Sequence, residues 1–147
     1  MKIIIDVNVL FSAMIKDSTT RAIIVNSGFE FYFPEPSLHK IRKYKAYILE
    51  KTEFSEEEYS QLLRLLFKYI KIIPTEQIER TWDKAMQIMA HIDEEDVTFV
   101  AAALELSDAI IWSDDKDFDK QQKIAVFKTD EIVLLFTDSG YEKKDKI

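Results

Sequence analysis

Three consecutive isoleucines, Ile3–Ile5, are closed at once by Asp6, and no other stretch limits the fold of this chain as tightly. A run of β-branched residues suits a strand buried on both faces, and such strands belong to parallel sheets covered by helices. A carboxylate directly behind such a strand is costly unless it meets water, a partner or a metal ion. Asn8 comes two residues later, and a helical pattern then runs through Ile15.

Downstream, strand-like and helix-like segments alternate. Thr19 or Thr20 can cap a short helix ending near Gly28. "FEFYF" is strand-like and is closed by Pro34 and Pro36, after which Ser37 precedes a basic helix. Ser55 and Glu58 form a capping box, followed by Tyr59, Leu62, Leu63, Leu66, Phe67 and Ile70 at helical spacing. "IKIIP" predicts a short strand, and Thr75 opens a helix with Ile78, Trp82, Ala85, Met86 and Met89 on one face. "DEEDVTFVAAALEL" predicts a helix with Val97, Val100, Ala101 and Leu104 inward. "DAIIW" is a strand, "SDDKDF" a loop and "IAVFKT" a strand, and Thr129 caps a last helix, "DEIVLLF". This alternation predicts a three-layer α/β/α sandwich around a mostly parallel sheet. We expect one domain over residues 1–140 and a flexible tail, "YEKKDKI", over 141–147.

Composition narrows the chemistry. With 47% hydrophobic and 32% charged residues the chain has the makeup of a folded domain rather than a disordered one. Its lack of cysteine excludes disulfides, thiolate zinc sites and a cysteine nucleophile. Neither a leader pattern nor a membrane-spanning run is present, and the expected location is cytoplasmic. A net charge of −7 argues against tight non-specific nucleic-acid binding. The segment His39–Lys51 nevertheless holds five Lys or Arg against one Glu, so a local basic surface survives. Lys40, Arg42, Lys43 and Lys45 there either track a phosphate backbone or form a solvated face.

The acids fall at telling places. In open α/β sheets functional groups gather beyond the carboxyl ends of strands. Asp6 ends the first strand, and Asp114, Asp115 and Asp117 come after the "DAIIW" strand, so parallel strands bring both to one edge. Asp93 and Asp96 open a helix whose edge the spacing leaves undecided. If Asp6, Asp96 and Asp115 converge at about 5 Å, each ionised pair repels by roughly 3 kcal/mol at an effective dielectric near 20. Protons or a hard divalent cation, Mg²⁺ or Mn²⁺, must then neutralise them. A structural explanation stands beside this one. Asp93 makes a good N-cap, Asp96 suits the helix dipole in the first turn, and the Asp-rich loop is a solvated turn. Asn8 either caps the first helix or orients Asp6.

Taken in order, "IIIDVNVLFSA", "DEEDVTFVAAALEL" and "IIWSDDKDF" resemble the motifs of PIN-domain proteins, the nuclease fold of many bacterial and archaeal toxin ribonucleases. The resemblance covers most of the chain. It implies that Asp6, Asp96 and Asp115 are the metal-binding and catalytic acids, with Asp117 a companion to Asp115 and Asp93 an additional acid. Asn8 and Ser113 match the polar residues that support them. The resemblance further implies a Mg²⁺- or Mn²⁺-dependent endoribonuclease acting on single-stranded or looped RNA, a small antitoxin partner, and dimerisation through apolar helices, for which "YSQLLRLLFKYI" offers apolar surface unless that surface packs into the core. One motif departs. The family usually carries a Glu on the helix after the second strand, and His39 and Lys40 stand there instead, with Glu35 before the helix and Glu50 at its far end. A non-catalytic RNA- or protein-binding module is therefore the alternative. Other acid-bearing folds fit less well. Haloacid dehalogenase-type phosphatases need an Asp where Asn8 stands, a receiver domain needs an acid ending a central strand, and no glycine-rich phosphate loop exists.

Overall fold

The first strand lies at the middle of the sheet. In the computed structural model, which describes residues 1–15, 19–89 and 93–138, β1 (Lys2–Ile5) buries Ile3, Ile4 and Ile5 completely. Each such side chain contributes roughly 1.5–3 kcal/mol of burial. On one side β1 pairs in parallel with β2 (Glu30–Pro34), and on the other with β4 (Ala109–Trp112). Outside these lie β3 (Ile70–Ile73) against β2 and the short β5 (Val126–Phe127) against β4, both also parallel. The five strands run in the order β3-β2-β1-β4-β5. The chain therefore builds outward from β1 in one direction, then returns to its other side. That reversal makes the gap between the carboxyl ends of β1 and β4 a topological switch point, the place where such sheets bind ligands.

Helices cover the sheet, as a parallel sheet with buried faces requires. They are α1 (Val7–Ile15), α2 (Thr19–Asn26), α3 (His39–Lys43), α4 (Lys45–Thr52), α5 (Glu56–Leu66), α6 (Thr75–Glu79), α7 (Trp82–Met89), α8 (Glu94–Leu106) and α9 (Thr129–Asp138). The α/β sandwich expected from the alternation is present. Helix α8 lies between β1, β2 and β4 on one side and α7 on another, which is why the consecutive small residues Ala101, Ala102 and Ala103 are all buried. Phe99 of the same helix meets Phe33 and Phe118 edge-on, tying β2 to the loop after β4. No helix among the described residues is long and apolar enough to cross a membrane. The tail expected at 141–147 falls outside the described residues.

Local differences from the sequence-based expectations have identifiable causes. The basic helix is two helices, α3 and α4, parted at Tyr44 with φ −100° and ψ 10°. The helix opened by Thr75 is also two, because the Thr81 hydroxyl donates to the Ala101 carbonyl of α8 at 2.6 Å and holds the chain in a turn. Within α7 Ala85 and Met89, four residues apart, are buried, while Met86, one residue round the helix from Ala85, is 38% exposed. "SDDKDF" contains a short 3-10 turn, Lys116–Lys120, anchored by the buried Phe118. Thr129 does not cap the last helix by itself, being its first residue. Asp114 reaches over from the loop after β4 and accepts hydrogen bonds from the Thr129 backbone N–H at 2.9 Å and hydroxyl at 2.6 Å. The Ser55–Glu58 capping box is formed as expected.

Asp114 thus does for α9 what an N-cap does. Asp114→Ala is expected to cost about 1 kcal/mol and to lower the melting temperature by about 2–4 °C. Calorimetry of the variant checks this, and its response to divalent metal should stay as in the parent protein.

Candidate functional site

Asp6 is placed by backbone pairing. Its N–H donates to the Trp112 carbonyl at 3.1 Å, extending the β1–β4 ladder by one bond, and its carbonyl accepts from Leu10 in the first turn of α1. The carboxylate is 7% exposed. One oxygen accepts from the Val7 N–H at 2.7 Å and the other from the Ser113 hydroxyl at 2.6 Å. Ser113, the residue directly after β4, is fully buried, and its hydroxyl oxygen accepts from the Asp115 N–H at 3.0 Å. Asp115 in turn accepts from the Asp117 N–H at 2.9 Å. A relay of hydrogen bonds therefore fixes Asp6, Ser113, Asp115 and Asp117 against one another. Burial pushes the Asp6 carboxyl above its ordinary value, the Ser113 and Val7 bonds pull it back, and Asp115 raises it while Lys40 lowers it. Asp6 also serves the start of α1, and Asn8 is exposed and lines the same cavity as Asp6.

The helix that carries Asp96 reaches the same edge for a topological reason. α8 turns directly into β4 through Ser107 and Asp108, both with positive φ (58° and 55°). A helix joined so tightly to a parallel strand must run antiparallel to it, so the α8 N-terminus stands at the carboxyl edge of the sheet. Asp93 caps that helix by accepting from the Glu95 N–H at 2.9 Å. Asp96 is 6% exposed, and its Oδ2 is a buried oxygen without a hydrogen-bond partner, the one such side-chain atom among the described residues. Oxygens of Asp93, Asp96 and Asp117 all lie within 4.8 Å of one another. At that range each ionised pair costs roughly 3 kcal/mol at an effective dielectric near 20. Burial, then Asp93, Asp115, Asp6 and Asp117, push the Asp96 carboxyl up to about 7.

The tightest group is thus Asp93, Asp96 and Asp117, with Asp6 and Asp115 close enough to act on Asp96 through their charge. The capping role of Asp93 and its place in the cluster hold together. The orphaned Asp96 oxygen and three converging carboxylates suit a hard cation, which would satisfy the oxygen and offset the repulsion.

Opposite the acids stand cations from α3. Lys40, 15% exposed, pairs with Glu95 of α8 at 2.8 Å and so draws the Glu95 carboxyl below its ordinary value. Lys40, Lys43, His39 and Glu95 line, with Asp6, Asp93, Asp96 and Asp115, a cavity of about 340 Å³. Arg42 lies on another helix face and lines an apolar groove with Ile41 and Phe67. Lys45 is held by Glu56 at 2.6 Å. Of the four basic residues singled out from sequence, two therefore face the acids. Glu35 is accounted for elsewhere, accepting from the N–H and hydroxyl of Thr75 at 2.9 and 3.2 Å. Glu95 was not foreseen. The signal was its place inside "DEED", but only the packing of α3 on α8 gives it a partner.

Asp96 holds a proton more readily in the folded chain, where its value is about 7, than in the unfolded chain, near 3.8. Metal-free stability is therefore lost as pH rises between those values. Asp96→Asn is expected to be more stable than the parent without metal. The gap should widen by at most about 1.4 kcal/mol per pH unit from pH 5 and level off above pH 7.5. Chemical denaturation in EDTA across that range measures it.

Comparison with known proteins bears on the family and the fold. No curated protein matches the chain. The family model described as the PIN domain matches residues 4–136, from β1 into α9 and across every acid of the site. That family has a nuclease-type fold, generally uses divalent metal ions and commonly binds RNA. With nearly the whole chain matched, the protein belongs to the PIN domain family.

Proposed function

We propose that the protein is a metal-dependent endoribonuclease. The observation that carries this reading is the unpartnered buried oxygen of Asp96 inside a group of three carboxylates at the switch point of the sheet. Asp96, Asp93 and Asp117 would hold Mg²⁺ or Mn²⁺, with Asp6 and Asp115 completing the acidic floor. A cation held there would supply a water of lowered pKa and would stabilise charge on the phosphodiester in transition. Hydrolysis there would join a water oxygen to phosphorus, break one P–O ester bond and pass the proton to the leaving ribose oxygen.

The chain's own residues have defined parts in this. Ser113 and the Val7 N–H orient Asp6 and oppose the upward push of burial on its carboxyl. Lys40 relieves part of the negative field that would otherwise repel an RNA phosphate, and Lys43 adds a second positive charge at the cavity wall. This reconciles a polyanionic substrate with a protein of net charge −7. A role as toxin of a toxin–antitoxin pair, with a small antitoxin partner, homodimerisation through an apolar helix and a cytoplasmic site of action, rests on the family resemblance and belongs to the same proposal.

The second reading is a non-catalytic RNA- or protein-binding module. It is favoured by Lys40, which stands where the family usually has an acid and is already paired with Glu95. The two readings part on metal. The nuclease reading expects millimolar Mn²⁺ to raise the melting temperature and to support RNA cleavage that EDTA stops. Asp6→Asn and Asp96→Asn should lose that cleavage, and Ser113→Ala should lose about 10–100-fold by releasing Asp6. Gel assays on mixed RNA beside thermal shift decide it. Metal-dependent cleavage retained by pure Asp6→Asn protein would sink the nuclease assignment, and an absent Mn²⁺ shift would favour the module.

A further inference from the structure

The cavity above the acids has a second wall, and its chemistry is aromatic. Phe11 of α1 and Tyr44 and Tyr47 of the α3–α4 segment line it. Tyr44 and Tyr47 are 40% and 50% exposed, large rings left in water beside a polar site. The chain break at Tyr44 separates α3 from α4, and both tyrosines border the same cavity as Lys40 and Lys43 of the preceding helix. Phe11 meets the Tyr44 ring in an edge-to-face contact, with centroids 5.5 Å apart and planes at 64°, and 40% of Tyr44 stays exposed. Each ring has its own cation. Lys43 Nζ lies 5.5 Å from the Tyr44 centroid and Lys51 Nζ lies 5.6 Å from the Tyr47 centroid.

Repeated pairs of ring and cation are what a single nucleic-acid strand needs, a flat face for each base and a positive charge for each phosphate. In a duplex the bases stack on one another and offer no face to a tyrosine, so only unpaired nucleotides fit. A basic peptide would be drawn to the acids but repelled by Lys40, Lys43 and Lys51. A polyanion has the reverse preference, lying along the lysine–tyrosine wall and presenting a phosphate to the floor. We infer that Tyr44 and Tyr47, with Lys43 and Lys51, form a stacking wall. It takes two unpaired nucleotides of single-stranded RNA and delivers the adjoining phosphodiester to the acidic floor. The inference rests on the nuclease reading and assigns the residues that would position its substrate.

The test uses full-length Asp6→Asn protein with Mn²⁺, so that RNA is bound without being cut. An oligoribonucleotide carrying 2-aminopurine is titrated as a single strand and as a duplex of the same sequence. Fluorescence quenching reports stacking and anisotropy reports affinity. Tyr44→Leu and Tyr47→Leu keep apolar bulk but remove the flat ring, while Tyr44→Phe and Tyr47→Phe keep the ring. We expect the single strand to bind more tightly than the duplex with quenched fluorescence. Each Leu variant should weaken it by about fivefold or more, and each Phe variant should bind like the parent. Unchanged affinity in the Leu variants, Phe variants that behave like Leu, or equal binding of duplex would each overturn the wall. If the parent protein with Asp6 intact still cleaves RNA under those results, the nuclease reading stands and this inference alone falls. If the parent neither binds nor cleaves RNA, both fall together.

Discussion

The parallel pairing of β1 with β4 is the constraint on which the rest of the structure depends. It sets Ile5 beside Trp112 and so places the next residue of each strand, Asp6 and Ser113, within hydrogen-bonding reach. Because β1 is flanked on both sides and covered on both faces, its position cannot drift without exposing Ile3, Ile4 and Ile5 together. The acid at its end is therefore held by the core itself. Asp115 and Asp117 are then fixed relative to Asp6 by backbone N–H groups, through Ser113 to Asp115 and on to Asp117.

That rigidity has an electrostatic consequence. Several carboxylates are held together at a covered edge where they cannot move apart, and the protein answers the repulsion in different ways. Asp6 is hydrogen-bonded at both oxygens, and Asp93 and Asp115 accept from backbone N–H groups. Asp117 has Lys120 at 3.2 Å. Asp96 alone keeps a buried oxygen with none of these remedies, and its carboxyl is accordingly the one raised to about 7. Strain of this kind marks functional sites more often than structural ones. Lys40 adds a fixed cation on the opposite wall, so the cavity divides into an acidic floor and a wall of lysines and tyrosines.

Much of this was legible in the sequence because it depends on local pattern. The isoleucine run, the alternation of strand and helix, the capping box at Ser55–Glu58 and the acids behind β1 and β4 each depend on neighbours within a few residues. Features set by distant contacts were not legible. The break at Thr81 depends on a carbonyl of α8, twenty residues away. The cap of α9 comes from Asp114, fifteen residues before it. The edge on which Asp93 and Asp96 stand is set by the direction of α8, which its turn into β4 imposes.

By itself, then, the sequence determined the class of fold and a first strand buried on both faces, and it put acids just after β1 and β4. Burial of a continuous apolar strand and the periodicity of its covering helices leave few alternatives. Only the tertiary structure decided which carboxylates share one space, that Asp96 is the acid left without a partner, and that Lys40 and Lys43 face it while Arg42 and Lys45 do not. The physical reason is range. Propensity and periodicity act over one or two turns of chain, whereas Coulomb repulsion and hydrogen bonding depend on distances that arise only once the sheet and helices have packed.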